Sequence, residues 1–160
     1  MVRKLVILAI AVPCLAAPST AFADITAFLG VNPQPTTRPV RGFAVGAGLM
    51  IVGFEFEYAS TAEEPEDAAP GLRTGMGNVL LQTPFAVFGM QPYFTTGGGV
   101  YRETLGTISE TQFGINSGGG GKVSLLGPVR ARIDYRVFHL RGEPLHDTVH
   151  RVYAGLNLRF

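Results

Sequence analysis

The chain has one cysteine and no tryptophan, and it carries almost no net charge, with 13 Lys and Arg against 12 Asp and Glu. No basic run stands out, which argues against nucleic acid as a partner. Long apolar runs are also missing. The longest, Leu5 to Val12, stops at Pro13 and falls far short of the roughly 20 residues a spanning helix needs. The 21 glycines disfavour long helices. A membrane span in this chain therefore has to be built from strands, the other element that satisfies its own backbone in hydrocarbon.

The N-terminus supplies a clear pattern. Arg3 and Lys4 precede the apolar run, and small residues follow, ending in Ala21-Phe22-Ala23. A basic start, a short apolar stretch and an A-x-A site predict a cleaved export signal over residues 1–23, cut between Ala23 and Asp24. Cys14 raises the alternative of a lipidated cysteine, but Pro13 stands where a small residue is usual. With Cys14 removed, the exported chain has no thiol and cannot form disulfides. Loss of Arg3 and Lys4 turns the formal charge from +1 to −1. Residues 24–160 have the length of a single domain.

Within that domain the dominant signal is alternation with a period of two. Val129, Ala131, Ile133, Tyr135, Val137 and His139 interleave with Arg130, Arg132, Asp134, Arg136 and Phe138. Val152, Ala154, Leu156, Leu158 and Phe160 interleave with Arg151, Tyr153, Gly155, Asn157 and Arg159. A helix would mix these sets, whereas a strand separates them onto two faces. Phe43–Ala47, Val52–Tyr58 and Phe113–Leu125 repeat the pattern. Strands are also expected near 24–31, 72–83 and 91–104, where glycine and threonine blur the facing. The total is eight. Polar segments at 32–39, 59–71, 105–110 and 141–149 read as the longer loops. Positions 49–50 and 126–128 read as tight turns, with 84–90 intermediate. This predicts an all-β, antiparallel up-and-down transmembrane barrel of about eight strands, with longer loops at one end.

Alternation alone does not decide which face points outward. A soluble exported barrel puts its apolar set inside around a ligand, and a membrane barrel inverts this. The polar set combines charges with many glycines, which suits a narrow, closed lumen. Glu55, Glu57, Lys122, Arg130, Arg132, Asp134, Arg136, Arg151 and Arg159 are the expected lumen charges, and they should pair across strands, because a lone charge there is costly. An eight-stranded interior is filled by side chains, so no wide pore is expected.

The ending Val152-Tyr153-Ala154-Gly155-Leu156-Asn157-Leu158-Arg159-Phe160 alternates and closes on an aromatic residue. It resembles the C-terminal signal of bacterial outer-membrane barrels, with Tyr153, Leu156, Leu158 and Phe160 as its marks. Val129–Leu140 and the stretch from Gln91 to Arg102 are similar to the small OmpA/OmpX-type outer-membrane β-barrel domain family. The resemblance spans essentially all of residues 24–160 and lies in pattern more than in specific residues. It implies a Gram-negative outer-membrane location and delivery by periplasmic chaperones to the barrel-assembly machinery. It implies contact with outer-membrane lipid and lipopolysaccharide as well. It implies no reaction, catalytic residue or cofactor.

Enzymatic motifs are weak. Gly118-Gly119-Gly120-Gly121-Lys122 fails the phosphate-loop pattern, because Asn116 replaces its first glycine and Val123 follows the lysine. His146, Asp147 and His150 lie in or beside one loop without the convergent set a metal requires. Lipid A deacylase-like barrels carry His and Ser two apart on the lipid side. Here Arg141 stands two residues after His139, leaving no partner nucleophile. Glu63-Glu64-Pro65-Glu66-Asp67 reads as a solvated acidic loop. The expectation is a non-enzymatic envelope or surface-interaction protein. A lipid-modifying enzyme and a soluble ligand-binding barrel are the alternatives.

Overall fold

The computed structural model describes residues 21–160. The expectations for residues 1–20, including most of the export signal and Cys14, lie outside them. Eight strands run in order: β1 (Ala21–Asn32), β2 (Arg38–Leu49), β3 (Val52–Thr61), β4 (Gly71–Gln82), β5 (Met90–Leu105), β6 (Ile108–Leu126), β7 (Val129–Leu140) and β8 (Thr148–Arg159). Each pairs antiparallel with the next, and β1 closes on β8 to give an up-and-down barrel. The closing seam runs from Asp24 opposite Arg159 to Val31 opposite Val152. Closure leaves no exposed sheet edge around the wall, which is what lets a sheet satisfy its backbone within lipid.

Every strand alternates between a buried and an exposed face, as the sequence periodicity dictates. The structure also fixes the facing of the three blurred strands. Asp24, Thr26 and Phe28 point inward from β1. Leu72, Thr74, Met76 and Asn78 do so from β4, and Tyr93, Thr95, Tyr101 and Glu103 from β5. Outward are large apolar side chains such as Leu29, Phe54, Phe94, Phe113, Ile133 and Leu156. Charge is inside and hydrocarbon outside, the reverse of a water-soluble fold and the arrangement of a membrane barrel.

One end of the barrel carries the connections 33–37, 62–70, 106–107 and 141–147, and the other carries 50–51, 83–89 and 127–128. This corrects the expected loop at 105–110. Only Gly106 and Thr107 connect β5 to β6, because pairing continues through Thr104 opposite Ser109 and Leu105 opposite Ile108. Gly106 takes a positive φ of 61° at the turn, a conformation open to glycine at little cost. The pairing of β6 with β7 starts only at Gly114 opposite Leu140. Residues 108–113 therefore pair with β5 alone, past the end of β7, while β5 stays paired with β4 as far as Thr104. The acidic segment holds a single 3-10 turn, Pro65–Asp67.

Gly118 and Gly120 of β6 are spacers for interior side chains. A Cβ on Gly120 would sit 2.7 Å from the Tyr93 hydroxyl and 3.0 Å from Cα of Asp134. Gly120→Val is expected to destabilise the barrel by about 1–3 kcal/mol, the usual cost of overpacking. The check is urea unfolding in detergent micelles, followed by circular dichroism. A midpoint equal to wild type would show that the interior has room to spare there.

Candidate functional site

The lumen is divided along its axis. Toward the end bearing 62–70 and 141–147 it is sealed by an apolar cluster of Leu72, Met76, Tyr101, Phe138, Leu140 and Val149. This corrects the expectation of an interior filled by charge throughout. Phe138 continues the inward face that Arg130, Arg132, Asp134 and Arg136 begin, so one strand carries both the charged layer and the apolar seal.

Below the seal lies an ion-pair network in which Arg132, Arg136 and Arg151 are fully buried. Arg132 forks onto both carboxylate oxygens of Glu55 and also reaches Asp134 Oδ2 at 3.0 Å. Arg136 contacts Glu55 Oε1 at 2.8 Å, Asp134 Oδ1 at 2.9 Å and Glu57 Oε2 at 3.1 Å. Arg151 Nη1 lies 3.2 Å from Glu57 Oε1, and its guanidinium stacks 4.3 Å from the centre of the Phe138 ring. Planar guanidinium forks suit this role, since one side chain can bridge two carboxylates.

Nearer the opposite mouth, Asp24 Oδ2 accepts from Lys122 Nζ at 2.8 Å and from Arg130 Nη2 at 3.3 Å. The sequence singled out Asp24 only as the residue after the cleavage site. Its place in the network was not legible, because Lys122 and Arg130 lie about a hundred residues away. Arg159 departs from the expected set. It is exposed at the rim, 5.1 Å from the Phe22 ring centre, and makes no ion pair among the described residues. Its inward register holds, but β8 ends there and no wall covers it. Among the described residues the network thus joins four acids to five bases, a closer balance than the sequence set of three acids and six bases implied.

Two tyrosines complete it. Tyr93 donates to Asp134 and accepts from Arg132 Nε at 2.7 Å. Tyr153 donates to Glu57 Oε2 at 3.0 Å, accepts from Arg136 Nη2 at 3.2 Å and stacks on Phe28 with ring centres 4.0 Å apart. Of the four C-terminal residues singled out, Leu156, Leu158 and Phe160 face outward, while Tyr153 is a lumen residue. In the uncleaved chain Phe160 pairs its backbone N–H with the Ala23 carbonyl at 2.8 Å, a bond that cleavage after Ala23 would remove.

The outer wall brings one further pair together. His139 and Thr148 are cross-strand partners, with Nδ1 and Oγ1 3.4 Å apart. The sequence spacing missed this hydroxyl because it comes from the neighbouring strand. That distance is beyond the usual range of about 2.6–3.2 Å between a nucleophile and its base, and no carboxylate hydrogen-bonds to His139 among the described residues. His150 instead shares a 2.7 Å hydrogen bond with the Tyr135 hydroxyl. The Gly118–Gly121 stretch lies within β6 and forms no phosphate loop.

No protein-family model matches the chain, and neither does any curated protein. Solved structures do. The N-terminal β-barrel domain of Pseudomonas aeruginosa OprF is 16% identical with a TM-score of 0.66, over 87% of this chain and 97% of that one. Neisserial surface protein A, NspA, is 14% identical with a TM-score of 0.68, over 88% and 97%. The outer membrane enzyme PagL is 12% identical with a TM-score of 0.55, over 84% and 98%. The fold is that of the small eight-stranded outer-membrane barrels of the OmpA/OmpX type.

Proposed function

We propose that this protein is exported, loses residues 1–23 and resides in the bacterial outer membrane. There it acts as a closed, non-enzymatic barrel in envelope integrity or surface interaction. The observation that carries this reading is the inversion of the wall, with an ion-paired charge network inside and a largely apolar surface outside. Water does not support that arrangement and lipid does. The apolar seal above the network argues against a conducting pore, and the exposed β6 edge at 108–113 gives the surface role a structural basis. Fold neighbours include a protein named for its surface location and one named as an enzyme, so likeness of fold leaves the choice to the residues. Here the His139–Thr148 pair lacks the carboxylate and the close contact that hydrolysis needs.

The test is outer-membrane fractionation of the expressed protein, followed by gel mobility in SDS with and without boiling. Recovery in the outer membrane with a heat-dependent shift is expected. Recovery in the soluble periplasm without a shift would sink the proposal.

A further inference from the structure

The outward register of the wall carries few charges, and they are not scattered. Arg41 on β2, Arg73 on β4 and Arg102 on β5 are the only acidic or basic residues (histidine aside) in that register of the described strands. Strand pairing sets them in one row. Arg41 is opposite Ser60, Ser60 opposite Arg73, Arg73 opposite Arg102, and Arg102 opposite Thr111. All three arginines are exposed. None forms an ion pair among the described residues; Arg102 Nε donates only to the Thr111 hydroxyl, at 3.0 Å.

Two arginines directly across a strand pair repel each other, so Arg73 beside Arg102 is unfavourable unless an anion lies between or above them. Arg73 also marks a depth. From Arg73 to Leu81 on β4 is eight residues, about 20 Å along the membrane normal for a tilted strand. Arg73 therefore sits at the edge of the apolar band, on the loop-bearing side.

Directly below it the wall is indented. A groove of about 980 Å³ is lined by the outward side chains of Ala27, Leu29, Phe43, Tyr58, Ala154 and Leu156, with Arg41, Ser60 and Arg73 at its upper end. Small residues at Ala27 and Ala154 create the hollow. A second, more polar groove of about 560 Å³ continues upward between Arg41 and Arg73 to Glu63. The Glu63 carboxylate there accepts from the Gly106 N–H at 3.2 Å.

An apolar slot capped by unpaired guanidinium groups has the shape and charge of one kind of occupant. Resting on the outer-membrane reading above, we infer that this face binds a phosphate-bearing lipid of the surrounding leaflet. Its acyl chains lie in the slot, and its phosphate bridges Arg41 and Arg73, the two arginines that line the groove. Guanidinium forks match phosphate oxygens, and Ser60 supplies a hydroxyl between the two. The apolar half accounts for a lipid over a free anion, and the arginine row accounts for a phosphorylated lipid over a neutral one.

The test uses the barrel extracted in neutral detergent, with diphosphorylated lipid A as the probe and retained lipid counted by native mass spectrometry. Wild type should retain the probe and release its dephosphorylated form. Near a membrane surface each arginine contributes a factor of about five in affinity, so Arg41→Gln with Arg73→Gln should weaken retention about thirtyfold. Arg141→Gln, in the loop outside the row, should leave it unchanged. Ser60→Glu, which sets a carboxylate between the two arginines, is a second variant and should also lose the lipid.

Equal retention of the dephosphorylated form, or no effect of the double variant, would overturn the inference. So would full competition by inorganic pyrophosphate, which would mark a free-phosphate site, or by heparin, which would mark a polysaccharide site. Every variant is first checked for its heat-dependent mobility shift. Failure of wild type at that stage counts against the membrane-barrel reading, whereas a shifting barrel that retains no lipid overturns only the lipid site.

Discussion

Ile133→Arg is expected to destabilise the barrel by about 2–4 kcal/mol, the cost of a basic side chain near the bilayer midplane. Ile133 is 64% exposed on the outer face of β7, opposite Ala154 on one side and Gly121 on the other. It lies amid the apolar band, too deep for a long side chain to reach either interface. Leu156→Arg, on the neighbouring strand, should behave similarly. Leu49→Arg is the contrasting variant. Leu49 ends β2 beside the two-residue turn, where the cost falls to about 0–1 kcal/mol. Urea unfolding in lipid vesicles, read by gel mobility and circular dichroism, gives the three values. Equal costs at Leu49 and Ile133 would remove the depth dependence that only a membrane imposes. A wild-type midpoint for Ile133→Arg would place that face in water.

Glu55→Ala is expected to cost about 3–5 kcal/mol, the range for breaking a buried ion pair by removing one partner. Glu55 accepts from both Arg132 and Arg136, and both guanidinium groups are fully buried. Removing the carboxylate leaves Asp134 and Glu57 as the nearest acids, and strand register keeps the arginines from reaching water. Glu66→Ala, in the exposed 3-10 turn, should stay within about 0.5 kcal/mol of wild type. The same unfolding measurement separates them. A Glu55→Ala barrel as stable as wild type would mean that water enters the lumen and solvates the freed charges.

Strand-level facts were legible because they are local. The alternations of Val129–His139 and Arg151–Phe160 follow from two-residue periodicity alone, and they correctly put Ile133 and Leu156 on the other face of the wall from Arg132 and Arg151. Where glycine and threonine dilute that contrast, as in β4 and β5, facing had to come from closure. Once neighbouring strands are in register, one face of β4 and β5 has to meet the interior. The loop expected at 105–110 failed for a related reason. Polar residues there looked like a connection, yet Ser109 and Thr111 pair with Thr104 and Arg102 of β5, past the end of β7.

The sequence by itself determined an eight-stranded, disulfide-free barrel with charge on one face and hydrocarbon on the other, because composition and period-two patterning act residue by residue. It also supplied the terminal Phe160. Tertiary structure decided who meets whom. Asp24 finds Lys122 and Arg130 across the closed lumen, Phe138 helps to seal it, and Arg159 falls outside the network. Arg41, Arg73 and Arg102 lie in one row only because three hairpins and their registers bring them side by side. Register is a property of paired strands, and no single strand carries it.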